Sequence, residues 1–202
     1  MVLNDKQIRE SLLQRLQSYK ESRIYEEFVL PCGRSRADIV VVNGHFTGYE
    51  IKSDVDSFQR LSSQIKEYDT YLEKNYIVVG KKFASKVNEY VPEYWGIIVA
   101  VEKKNSVLLE FRRQAKRNPY WSFNDFIFFL SANDLKYIVK ETPRFQKQFS
   151  RTTVQAMIKQ NIIAMINEES SQIERKQIIK ITRFIFKGYD VRTLYKNGEL
   201  LL

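Results

Sequence analysis

The stretch that most restricts how this chain can fold is R-A-D-I-V-V-V-N-G-H-F-T-G-Y-E-I-K, residues 36–52. Two apolar runs flank an Asn43-Gly44 turn signal, which reads as two β-strands around a tight connection. Yet the first strand carries Asp38, and the second carries Glu50 and Lys52. A charged group is costly to bury unless it is paired or bound to an ion. Two carboxylates and a lysine in such a strand pair point to a site.

Register decides whether these groups can meet, because strand side chains alternate between faces. A two-residue Asn43-Gly44 loop sets Asp38 opposite Tyr49 and leaves Asp38 and Glu50 on different faces. A three-residue loop, Asn43-Gly44-His45, sets Asp38 directly across from Glu50. The expectation is therefore an odd loop or a bulge. Adjacent carboxylates repel, and a hard cation, Mg²⁺ or Mn²⁺, suits them, with the backbone oxygen of Ile51 as a further ligand. Such an ion polarises a phosphoryl oxygen, and Lys52 beside it stabilises the charge that grows there. The set suits phosphodiester hydrolysis. The alternative is a buried structural Asp–Lys–Glu network.

Hydrophobic residues make up 44% of the 202 and charged residues 28%, which predicts a globular core. No run approaches the roughly 18 consecutive apolar residues of a membrane span. The polar start reads as no signal peptide, and the single cysteine, Cys32, fits a reducing cytoplasm. One cysteine and one histidine, His45, leave too few ligands for zinc. The net charge of +9 is uneven. Residues 1–100 hold 14 Lys and Arg against 14 Asp and Glu, whereas residues 101–202 hold 19 against 10. That asymmetry predicts a polyanionic partner, nucleic acid first. The phosphate-backbone candidates are Arg34 and Arg36, then Arg112, Arg113, Lys116 and Arg117 in the basic run before Pro119.

Periodicity predicts a helix over 5–20 and a strand over 23–31, then the strands 36–42 and 46–52. A second helix over 53–72 follows, capped by Asp54 or Asp56. Gln64 and Tyr68 lie one turn apart on it. A strand over 75–80, a helix over 82–90 and a strand over 95–101 complete the first half. Gly48, inside a strand, marks a bulge or a close approach. Beyond residue 101 come an edge strand, the basic run, short helices over 121–141, a helix over 152–166, a capped basic helix over 171–187 and a hairpin at Asn197-Gly198. The expected fold is α/β, a mixed sheet of four or five strands flanked by helices. The expected domains are 1–101 and a smaller, basic, mainly helical 102–202.

The run R-A-D-I-V-V-V-N-G-x-F-x-G-Y-E-I-K-S-D resembles the core of the PD-(D/E)XK phosphodiesterase superfamily, the restriction-endonuclease-like fold. It also resembles a small bacterial and phage-associated group with near-identical R-A-D-I and Y-E-I-K-S-D runs. The likeness continues through 56–64, Tyr68, the I-V-V-G strand and V-P-E-Y-W-G, and so covers about half the chain. The resemblance implies that Asp38 and Glu50 bind the metal and that Lys52 is catalytic, with Gln64 and Tyr68 forming a supporting Q-x-x-x-Y motif. It also implies an added N-terminal glutamate; Glu10, Glu26 and Glu27 are candidates, with Glu27 favoured. No proline precedes Asp38, and residues 102–202 match no motif. The function expected is metal-dependent cleavage of DNA, with nucleic acid as partner and a homodimer left open. Two other readings stand beside it: a catalytically silent nucleic-acid-binding module, and an interaction protein gripping an acidic partner.

Overall fold

A computed structural model describes residues 2–104, 106–196 and 199–201. The chain is mixed α/β and divides into two compact units, Met1–Trp121 and Ser122–Leu202.

The first unit runs α1 (Asp5–Gln17), β1 (Arg23–Val29), β2 (Arg36–Val42), β3 (Phe46–Lys52), α2 (Leu61–Tyr71), β4 (Lys74–Gly80), β5 (Gly96–Lys103) and β6 (Ser106–Arg113). The strands form one sheet in sequence order, β1 to β6. The pairs β3–β4 and β4–β5 are parallel and the rest antiparallel. Burial of the sheet on both sides accounts for the continuous I-V-V-V and I-V-V-G runs. On one side Ile8, Leu12 and Leu16 of α1 pack on Ile39, Val41, Ile51 and Val78, with Tyr49 and Tyr76 stacked at 5.1 Å. Burial of each such aliphatic side chain stabilises the fold by about 1.5–3 kcal/mol.

The opposite side carries α2. A Cβ on Gly48 would lie 2.5 Å from Leu72 Cδ1 and 2.9 Å from Tyr68 Cδ1, so the glycine in β3 admits the helix. The far end of α2 is anchored by the buried Asp69 carboxylate. It accepts from Asn75 Nδ2 (3.0 Å), Trp95 Nε1 (2.9 Å) and Tyr94 Oη (2.5 Å).

Several expectations are corrected. The sheet has six strands because Ser106–Arg113 pairs with β5 along its whole length. The first unit extends past residue 101 for the same reason. Segment 114–121 also returns to it, with Asn118 donating to the Asp69 and Leu72 carbonyls. The helix expected over 53–72 begins at Leu61, with Arg60 at the N-cap and no side-chain cap. Asp54 and Asp56 are engaged elsewhere: Asp54 accepts from Leu3 and Lys82 N–H, and Asp56 from Ser53 N–H and Oγ. The segment 82–90 is two short 3₁₀ turns rather than a helix.

The second unit is helical: α3 (Phe123–Phe126), α4 (Ala132–Glu141), α5 (Pro143–Gln148), α6 (Arg151–Ala156), α7 (Lys159–Glu169) and α8 (Gln172–Phe186). The helix expected over 152–166 is two, interrupted by extended backbone at Met157 and Ile158. The capping box at Ser171–Glu174 opens α8. The core gathers Leu135, Ile138, Phe145, Ile162, Ile166, Ile178 and Ile181. Short strands β7 (Tyr195–Lys196) and β8 (Glu199–Leu200) pair at the end, while the Asn197-Gly198 turn lies outside the described residues.

Candidate functional site

The β2–β3 register pairs Val42 with Phe46 and Ile39 with Tyr49, so the loop has the three residues Asn43-Gly44-His45. Gly44 takes a left-handed φ of 71° within it, and Asn43 N–H donates to the His45 carbonyl at 3.1 Å. This odd loop carries Asp38 and Glu50 to one face, the face of α2. The paired backbone ends at Ile39 and Tyr49. One step further Asp38 Oδ2 accepts the Ile51 N–H at 2.7 Å, so a side chain takes over a ladder bond. What Ile51 contributes to Asp38 is this donor; the expectation for Ile51 concerned its oxygen.

Glu50 is 1% exposed and Lys52 8%. Glu50 Oε1 accepts from Lys52 Nζ at 2.6 Å and from Gln64 Nε2 at 2.5 Å. Its Oε2 accepts from Tyr68 Oη at 2.7 Å. The Tyr68 hydroxyl in turn accepts the Asp38 N–H at 3.2 Å. The structure thus brings together Asp38, Glu50, Lys52, Gln64 and Tyr68. Tyr68 is also fully buried against Gly48, so it is a core residue and a hydrogen-bonding one at once.

A residue that the sequence did not single out completes the cluster. Arg9, from α1, donates to Asp38 Oδ1 (3.2 Å) and to the Asp38 carbonyl (3.0 Å). The same guanidinium meets Asp5 at 3.0 Å and Glu27 at 3.2 Å. Glu27 also pairs with Arg36 Nε at 2.7 Å. Its backbone is left-handed, φ 50°, a strained conformation for a non-glycine residue in a strand. Glu27 therefore joins the site through Arg9. Glu10 and Glu26 are exposed, and Glu10 lies 3.9 Å from Lys6. The signal for Arg9 was present: Asp5 and Arg9 stand at the i,i+4 spacing of a helical ion pair.

Electrostatics follow from burial. Desolvation raises the Asp38 pKa against the Ile51 N–H and Arg9. Desolvation, then the Asp38 charge, raises that of Glu50 against Lys52 and Tyr68. Burial opposes charge on Arg9, but the hydrogen bonds and charges of Asp5 and Asp38 outweigh it and the pKa rises. Both oxygens of Asp38 and both of Glu50 are taken by donors, and two of those donors are cations. Among the described residues no group of three His, Cys, Asp or Glu side chains is disposed to hold a metal ion. A divalent cation between Asp38 and Glu50 would share their oxygens with Arg9, the Ile51 N–H, Lys52 and Tyr68.

A cleft of about 550 Å³ opens beside the network. Asp38, Glu27 and Gln64 line it, together with Arg34, Arg36, Arg60 and Ser63. Arg34 and Arg60 are exposed, and among the described residues neither pairs with a carboxylate. Arg60, the N-cap of α2, and Ser63 in its first turn carry no signal in the sequence that sets them apart from other helix-surface residues.

The other basic candidates lie apart. Strand β6, which carries Arg112 and Arg113, is three strands from β3, about 14 Å at the usual strand spacing. Arg113 is a fastener: it donates to the Trp95 (2.6 Å) and Pro92 (2.8 Å) carbonyls, and burial lowers its pKa. Arg112 pairs with Glu110 at 3.1 Å. Arg117 stacks over Trp121, and Lys116 is exposed.

Fold and site together define a mixed α/β protein with an internally paired charge network beside an arginine-lined cleft. The chain belongs to the family of bacteriophage P4 protein cII, whose model matches residues 2–188. It is similar to Protein cII of Enterobacteria phage P4, 32% identical over 123 residues, which are 60% of this chain and 46% of the relative. The match thus spans about half the length of the curated relative. No solved structure matches. This family membership overturns the expectation of a DNA-cleaving enzyme. The family that takes in the whole constellation is that of protein cII, not a nuclease family, and the readings as a hydrolase and as a PD-(D/E)XK phosphodiesterase are withdrawn with it. Among the described residues no helix is long and apolar enough to cross a membrane.

Proposed function

We propose that this protein binds nucleic acid, DNA ahead of RNA, and acts by occupying it without cutting it, in the manner of a regulator. The observation that carries this reading is the cleft, where Arg34 and Arg60 are exposed and, among the described residues, have no carboxylate partner. Exposed guanidiniums grip phosphate bidentately and fix the register of a backbone. The net charge of +9 adds the long-range attraction that brings a polyanion in. The buried carboxylates serve as an internal scaffold: they hold α1, β2, β3 and α2 in place around the cleft wall. One copy of the chain carries every lining residue, so the reading requires no second copy. A cytoplasmic location accords with one unpaired cysteine, Cys32.

The test is fluorescence anisotropy with labelled duplex DNA over a salt series, for wild type and for Arg34→Ala with Arg60→Ala. Binding should fall steeply with salt, and the double variant should lower the slope of log K against log salt by about 2. Supercoiled plasmid should stay intact with Mg²⁺ or Mn²⁺. Absence of binding at low salt, or an unchanged slope, would overturn the reading.

A further inference from the structure

A second cleft, of about 430 Å³, adjoins the first through the chain itself: Phe58 and Gln59 line it, and the next residue, Arg60, lines the arginine cleft. Its wall is aromatic. Phe58 stacks on Phe83 with ring centroids 4.3 Å apart and meets Tyr90 at 4.7 Å. Phe83 is buried, but Tyr90 remains 47% exposed. Two lysines rim it: Lys82 Nζ and Lys86 Nζ stand 4.8 Å and 5.4 Å from the Phe83 ring centre. Tyr90, Lys82 and Lys86 line the same cleft, and Lys82 Nζ also donates to the Asp56 carbonyl there at 3.2 Å.

We propose that this cleft takes one unpaired base of a nucleic acid strand, stacked on Tyr90, with its phosphate held by Lys82 and Lys86. The inference rests on the nucleic-acid reading above and deepens it to a strand that is single where it crosses segment 58–60. An exposed aromatic face with flanking cations is what a base and its phosphate require, and every base offers a π-face. A duplex keeps its bases stacked on one another and cannot offer one without unstacking.

The probes are a labelled oligothymidylate and a duplex of equal length, each titrated with the full chain over a salt series. Wild type should bind the single strand more tightly. Tyr90→Phe should bind like wild type. Tyr90→Leu, which keeps apolar packing, should lose about tenfold in affinity for the single strand with its salt slope unchanged. Lys86→Ala should lower that slope by about 0.7. Melting temperatures near that of wild type would show each variant folded. If Tyr90→Leu binds the single strand as well as Tyr90→Phe, or if wild type prefers duplex, the stacking site is overturned while the arginine cleft stands. If wild type binds neither probe, both readings fall together.

Discussion

At the scale of residues, the centre of this protein is a set of carboxylates whose partners are supplied by the chain. Arg9 holds Asp38, Asp5 and Glu27, and Lys52 holds Glu50. Removing one member of a paired buried set leaves the other uncompensated. Arg9→Ala should therefore lower stability by about 2 kcal/mol, less than the roughly 3–5 of a fully buried pair because Asp38 and Glu27 are partly exposed. The same variant frees Asp38 and Glu27 together. Millimolar Mg²⁺ should raise its melting temperature and leave that of wild type in place; an equal rise in both would show that Arg9 does not stand in the ion's way. Glu50 gives a pH signature. Its pKa is about 4.3 in an unfolded chain, and burial raises it in the fold. The native state holds that proton more tightly, so this contribution is full below about pH 4 and is lost as pH rises through the raised value. Glu50→Gln removes it. The stability deficit of the variant should narrow as pH rises above about 4 in urea titrations, and a deficit that widens would contradict the assignment.

At the scale of elements, the order α1-β1-β2-β3-α2-β4 was legible because its apolar periods are clean and its turns carry Gly and Asn. The odd β2–β3 loop was legible only through chemistry: the charges at Asp38 and Glu50 demanded a shared face that the simplest turn rule denies. Segment 53–60 was not legible, since Phe58 continues the helical stripe of Leu61 and Tyr68 while Asp54 and Asp56 look like caps. Tertiary contacts with Leu3 and Lys82, distant in sequence, decide their use. Arg113 misled for the same reason, because a basic run does not say which of its members are fasteners. The contact of α2 with β3 can be tested directly. Gly48→Ala should cost about 1–3 kcal/mol, since Leu72 and Tyr68 must move for the new methyl, and should disturb the Tyr68 bond to Glu50. A urea midpoint equal to that of wild type would show that α2 does not press on that strand.

At the scale of the whole molecule, charge is shared by both units. Residues 1–121 carry 20 Lys and Arg against 16 Asp and Glu, and residues 122–202 carry 13 against 8. Neither unit alone accounts for the basic character, which suits contact with a long polyanion more than a single phosphate-bearing metabolite. The PD-(D/E)XK likeness of residues 36–52 led to cleavage, and the family of the chain corrects that: the same constellation belongs here to a protein of the phage P4 cII family. The measurement that bears most directly on the account is DNA binding by wild type beside Arg34→Ala with Arg60→Ala, read as affinity against salt concentration. The account predicts tight, steeply salt-dependent binding that weakens and flattens in the double variant while the DNA stays whole. Equal binding by the two proteins, or none by either at low salt, would contradict it.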